Sequence, residues 1–314
     1  MTDDRGTTAR CYAALWVSGL GFVLAACSGD SSPGGAEGGA AEPAGGAATS
    51  SSGGAPVVGS GGASASSGGA PVGDPSDGCL APATLQSGRH SLDVDGTARE
   101  FILQLPTDYD PGRGPYPLIF AWHGGRYSAD WVAEGGEPQS GPYFGIQSQA
   151  GSDVILVAPQ ALPSWTEQDL GFLDAMVATL EGALCVDRRR LFSTGFSMGG
   201  IMTLDIGCQR ADVFRAIAPM SGSLSGGCPG GSPVAYFSSH GNQDTTIPPS
   251  EGEAARDEFA RNNGCTLETP VAGALGFEYQ GCAEGYPVIW YPFDGIHEPP
   301  PDEGERIWAF FSQF

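Results

Sequence analysis

The chain reads as a doubly wound α/β domain, a mostly parallel sheet with helices on both faces. Three observations predict it. Short runs of strand length alternate with segments of helix length from about residue 116 to the C-terminus. Several runs are apolar throughout rather than alternating, as strands covered on both faces must be. The residues suited to chemistry fall just after these runs, at the carboxyl edge where parallel sheets gather ligands.

Each element follows in order. "HSLDVDGTAREFILQLP" (90–106) holds two alternating runs around Asp95-Gly96, the signature of a tight hairpin. "YPLIFAWHGG" (116–125) is a buried strand feeding a glycine loop, and "DVILVAPQ" (153–160) is a second strand. "EQDLGFLDAMVATLEGAL" (167–184) places Leu170, Leu173, Met176, Val177 and Leu180 on one side of a helix. "RLFSTGFS" (190–197) is a strand running straight into the helix "MGGIMTLDIGCQR" (198–210). Strands follow at 214–222 and 233–241, then a helix at 249–264 with Gly264 at its end. A last strand (286–295) and a closing helix (302–314) complete the domain.

The first part of the chain is different. Arg5 and Arg10 precede the apolar run "CYAALWVSGLGFVLAA" (11–26), which is short for a membrane span and fits an export signal. It ends "LAAC", the pattern of a bacterial lipoprotein signal in which Cys27 is lipidated; ordinary secretion is the alternative. Residues 27–78 are almost entirely Gly, Ala, Ser and Pro, and "SSGGAPV" occurs twice. So little apolar surface does not offset the entropy of ordering, so a disordered tether is expected, with a span of about 40 Å. About 235 residues, 79–314, remain for the folded domain.

Composition bounds the partners. The formal net charge is −22, and all 14 basic residues are Arg. That balance argues against nucleic acid and against attraction to anionic lipid, leaving a lipid anchor as the one membrane contact. A monomer is expected. In an oxidising compartment the six cysteines beyond Cys27 suggest three disulfides. Spacing favours Cys208–Cys228 and Cys265–Cys282, which leaves Cys79–Cys185. With no CxxC and only four His, no metal is expected.

The chemistry centres on "STGFSMGG" (193–200). A lone G-x-S-x-G is weak evidence in a chain with 50 Gly. Its setting, strand before and helix after, makes Ser197 a candidate nucleophile on a sharp turn. A serine hydroxyl needs a base, a group to orient that base, and donors for the oxyanion. In this architecture the order is Ser, acid, His. His297, in the loop after the last strand, is the assigned base, with His240 as the alternative. Asp244 in "HGNQDTTIP" is the best orienting acid, ahead of Asp294 and Asp212. The Met198 N–H, at the helix start, is one oxyanion donor. The loop "WHGG" (122–125) supplies the other, Gly125 slightly ahead of Gly124, with His123 bracing the loop. Trp131 and Trp165 are candidates to stack on an aromatic acyl group or a sugar, or else simply cover the core.

The motifs "FAWHGG", "APQAL", "DLGFLDAMVATLEGALCVDRRRLFSTGFSMGG", "SSHGNQDTTIP" and "GIHEPP" resemble the secreted polyhydroxybutyrate depolymerase and feruloyl esterase group of α/β-hydrolases. The resemblance covers nearly all of 79–314. It implies an α/β-hydrolase fold, carboxylic ester hydrolysis and no cofactor, with Ser197, Asp244 and His297 matching nucleophile, acid and base. Members often carry Trp-Pro after the His, where this chain has Glu298 and prolines. The expected function is an exported serine esterase acting on a feruloyl or acetyl polysaccharide ester or on a polyester. The competing reading is a catalytically inactive, polysaccharide-binding hydrolase fold.

Overall fold

The computed structural model describes residues 73–136, 141–228 and 231–314; the expected export signal, the lipidation candidate Cys27 and the expected tether up to residue 72 lie outside them. A ten-stranded sheet organises the domain, in the order β1-β2-β4-β3-β5-β6-β7-β10-β9-β8. Its centre is parallel: β4 (Ile155–Pro159), β3 (Tyr116–Trp122), β5 (Val186–Phe196), β6 (Ala216–Met220), β7 (Ala235–Gly241) and β10 (Val288–Phe293). The apolar runs are these strands because both of their faces are covered. On β3, Leu118, Phe120 and Trp122 join the core on one side, and Ile119 and Ala121 join the core on the other.

Helices supply the two covers. On the first side lie α3 (Asp169–Ala183) and residues of α4 (Met198–Gln209), through Leu170, Phe172, Leu173, Met176, Met202 and Ile206. On the second lie α1 (Ala129–Glu134), α2 (Ile146–Ala150) and α6 (Glu303–Phe311), through Val132, Ile146, Ile307, Phe310 and Phe311. Each such buried aromatic or branched side chain stabilises the fold by roughly 1.5–3 kcal/mol relative to exposure. A third cluster forms where α5 (Pro249–Asn262) lays Ala255, Phe259 and Ala260 on Tyr236, Val288 and Trp290.

Antiparallel hairpins close both edges. The expected first one is β1 (Gly88–Val94) and β2 (Thr97–Gln104), with Asp95 and Gly96 both at positive φ. The second, β8 (Thr266–Ala272) and β9 (Phe277–Gln280), was not expected from the sequence. β8 is almost wholly exposed, so it carries no apolar run to betray it.

Among the described residues, packing includes Gly73–Ser76, ahead of Cys79. Ser76 is buried; its hydroxyl donates to the Leu184 carbonyl and accepts from the Val186 N–H. The disulfide Cys79–Cys185 fixes the same place, at the start of β5. The other cysteines pair as Cys208–Cys228 and Cys265–Cys282, the pairing expected from spacing. At the other end of the chain, Phe314 lies under the Arg215 guanidinium, just before β6. Among the described residues no helix is long and apolar enough to cross a membrane.

Candidate active site

Ser197 sits between β5 and α4 with φ 57° and ψ −116°, a backbone conformation that a side-chain-bearing residue adopts only under constraint. The constraint is local. The Ser197 N–H donates to the Met220 carbonyl, and its own carbonyl accepts from the Ile201 N–H. The flanking glycines are required by close approach. A Cβ on Gly195 would lie 2.4 Å from the Gly199 carbonyl oxygen, and one on Gly199 would lie 2.0 Å from that of Trp122. The turn therefore lifts the Ser197 side chain to the carboxyl edge of the sheet.

Two later loops bring partners to that edge. His297 Nε2 lies 2.8 Å from Ser197 Oγ, and His297 Nδ1 lies 2.6 Å from Asp244 Oδ2. With Nδ1–H donating to the carboxylate, Nε2 is left as an acceptor for the serine proton. The imidazole packs on the Phe196 ring at 4.9 Å between centroids. Asp244 is held from its other side, because Oδ1 accepts the N–H groups of Thr246 (2.8 Å) and Ile247 (3.0 Å). The carboxylate is fully buried, and both of its oxygens are hydrogen-bonded.

The alternatives fall elsewhere. Asp294 accepts from the Gln243 side chain and ties the two loops together. Asp212 is exposed in the segment between α4 and β6, at the opposite edge of the sheet. His240 does not reach the serine: its Nε2 donates to the Ile247 carbonyl at 2.9 Å and lies 3.4 Å from Asp244 Oδ2.

The loop after β3 lies beside the serine turn. A Cβ on Gly125 would sit 3.1 Å from Met198 Sδ, and one on Gly124 would sit 3.2 Å from Phe196. The Met198 N–H opens α4 and so has no intrahelical acceptor. His123 braces this loop. Its Nδ1 bonds the Gly124 carbonyl at 2.8 Å, while Nε2 accepts from the Ala161 N–H at 3.2 Å. Burial lowers the pKa of His123, so the neutral ring is favoured.

The two tryptophans differ. Trp165 is buried. Its indole N–H donates to the His123 carbonyl at 2.8 Å, and its ring stands edge-on to Trp122. Its faces are spent on the core and the glycine loop, not offered to a ligand. Trp131 is half-buried on α1 and stacks at 3.9 Å on Tyr127, whose ring would lie 3.3 Å from a Cβ on Gly124.

Two buried carboxyls escaped the sequence reading. Burial pushes Glu303, at the start of α6, up to about 8; Ser239, donating to it at 3.1 Å, opposes that shift. Burial pushes Asp205 on α4 up to about 6, against hydrogen bonds from Ser225. Glu303 reads in sequence as an ordinary acid in a first helical turn, so nothing there marks it. Among the described residues no group of His, Cys, Asp or Glu is arranged to hold a metal.

No protein-family model matches the chain. Individual relatives do. Feruloyl esterase D of Neurospora crassa is 36 % identical over 264 residues, covering 76 % of this chain and 91 % of the relative. Feruloyl esterase C of Emericella nidulans is 36 % identical over 239 residues, 72 % and 84 % of the two chains. Solved structures agree on the fold. A ferulic acid esterase from Anaeromyces mucronatus, in complex with ferulic acid, superposes with a TM-score of 0.52 at 17 % identity, over 72 % of this chain and 89 % of that one. An acetyl xylan esterase from Aspergillus awamori gives 0.55 at 17 % identity, over 71 % and 99 %. Sequence identity over most of both chains, on a parallel sheet that presents Ser197, His297 and Asp244 at one edge, leads to one conclusion: the chain belongs to the feruloyl esterase family of α/β-hydrolases.

Proposed function

We propose that the chain hydrolyses hydroxycinnamoyl-type carboxylic esters through an acyl-enzyme on Ser197. The observation that carries this reading is the unbroken line Ser197–His297–Asp244, with contacts of 2.8 and 2.6 Å. Ser197 Oγ attacks the ester carbonyl as its proton passes to His297 Nε2. The imidazolium is stabilised by Asp244, and the N–H groups of Met198 and Gly125 receive the oxyanion. The tetrahedral carbon expels the alcohol, which leaves with the proton from His297. Water, deprotonated by the same imidazole, then releases the acid and restores the serine.

Relatives named feruloyl esterases support an aromatic acyl group. So do Leu162 and Ile296, which are 54 % and 55 % exposed. Leu162 lies two residues from Ser164, whose hydroxyl touches Met198 Sδ, and Ile296 precedes His297. Apolar side chains at that rim suit a large acyl group better than acetyl. Export to an oxidising compartment is part of the proposal, supported by three disulfides.

The test is a panel of methyl ferulate, p-nitrophenyl acetate, acetylated xylan and a short-chain polyhydroxyalkanoate, run with the wild type and Ser197→Ala. Methyl ferulate is expected to give the highest kcat/KM. Ser197→Ala should lose at least about 10³-fold with its fold intact. Undiminished turnover in Ser197→Ala would refute the serine mechanism. No turnover by the wild type, and no labelling by a fluorophosphonate, would favour the inactive binding fold.

A further inference from the structure

We propose that His240 is a positioning residue for this hydrolysis: a neutral imidazole whose Nε2–H locks the Asp244 loop so that the carboxylate is aimed at His297. The inference rests on the triad proposed above.

His240 is the penultimate residue of β7 and is 1 % exposed. Its Nε2 faces two oxygens, the Ile247 carbonyl at 2.9 Å and Asp244 Oδ2 at 3.4 Å. Both can only accept, so Nε2 carries the proton. Nδ1 faces α5 and has no hydrogen-bond partner. A Cβ added to Gly252 of α5 would lie 2.3 Å from Nδ1 and 3.0 Å from Cε1. A second proton at Nδ1 would therefore be a buried donor without an acceptor. Geometry alone fixes one tautomer and one charge state, and burial, which lowers the pKa of this ring, acts in the same direction. The charged and titratable groups that face it are Asp244 and His297 from the site loops and Glu253 from α5; Trp290 of β10 lies 6.0 Å away, centroid to centroid, with Arg256 over its ring.

The consequence is a closed ring of contacts, two of them hydrogen bonds. The Ile247 N–H donates to Asp244 Oδ1, and the Ile247 carbonyl accepts from His240. The same His240 N–H approaches Oδ2, the oxygen bonded to His297. His240 thus acts on Oδ1 through Ile247 and lies against Oδ2 directly, without touching the substrate. The absence of a side chain at Gly252 leaves room for the ring and for Trp290, 2.9 Å from the same Cβ position. Displacing a catalytic group by about 1 Å can cost on the order of 100-fold in rate.

Three variants test this: His240→Leu, His240→Gln, whose amide N–H replaces Nε2–H, and Gly252→Ala, which crowds the ring from another element. Each is assayed for kcat and KM on methyl ferulate and for the strongly deshielded proton resonance of the His297–Asp244 bond. For His240→Leu we expect kcat to fall about 10- to 100-fold with KM within about twofold, and the resonance to be lost. His240→Gln should recover most of both, and Gly252→Ala should fall as His240→Leu does. A folded His240→Leu with wild-type kcat and resonance overturns the proposal, as do equal losses in Leu and Gln. If His240→Leu does not fold, wild-type turnover by Gly252→Ala overturns it. Ser197→Ala is carried in parallel: activity surviving there removes the triad reading instead.

Discussion

Replacing Glu303 by Gln removes one proton-binding site from the core and nothing else of comparable size. The carboxyl is 1 % exposed; Oε1 accepts from Ser239 Oγ at 3.1 Å, and Oε2 has no partner. The neighbouring Arg306 is committed to Asp302 at 2.8 Å and offers little compensation. Burial holds the pKa at about 8, against an ordinary value of 4.5. The sign follows from linkage. Below about 4.5 the folded and unfolded chains are both protonated and the group carries no penalty. Between 4.5 and about 8 the unfolded chain releases a proton that the folded chain keeps, so stability falls as pH rises. At about 1.4 kcal/mol per pH unit, that interval is worth about 5 kcal/mol. An amide keeps the acceptor for Ser239 and does not titrate. The assay is urea unfolding of both proteins with disulfides intact, from pH 4.5 to 9. The stability difference, variant minus wild type, should rise by about 4–5 kcal/mol across the range and level off above pH 8. All other titrations cancel in the difference. A difference that stays flat would refute the reasoning, because it would mean that Glu303 ionises as it does in water.

Two further substitutions probe the frame of the site. Gly199→Ala places a Cβ 2.0 Å from the Trp122 carbonyl oxygen, so it should destabilise the fold by more than about 2 kcal/mol and abolish turnover, read by thermal unfolding and methyl ferulate hydrolysis. A protein of wild-type Tm would contradict this. Cys79→Ser with Cys185→Ser opens a link between residues 106 apart, which should lower stability by about 2–5 kcal/mol in urea while the folded fraction keeps its kcat. A fall in kcat would mean that the link shapes the distant catalytic edge.

The central strands and the three site loops were legible because burial on both faces leaves a signature that needs no partner to be read. "YPLIFAW" admits few other interpretations, and a serine between glycines at the end of such a run can be placed on an edge. Ser197, Asp244 and His297 could then be ordered along the chain, and the structure brings them together. What was hidden depends on which neighbours a residue meets. β8 is exposed and mixed in composition, so it looks like loop. α1 and α2 have 6 and 5 residues, too few to develop a helical period. Trp165 sits at an active-edge position in the sequence, but its N–H has found the His123 carbonyl and its ring the core. His240 and Glu303 act through contacts to residues 7 and 64 positions away, which composition and spacing do not record.

The two ends of the described domain leave it from the same rim. Ser76 and Cys79 are fastened where β5 begins, and Phe314 lies under Arg215 where β6 begins. Ser197 lies at the far end of β5, whose stretch from Val186 to Gly195 runs alongside Tyr116–Trp122, so it is about 25 Å away. A bead, a surface or a second protein joined directly at either end of the described domain therefore attaches to the edge away from Ser197. The rim that carries Ser197, His297 and Asp244 then faces outward.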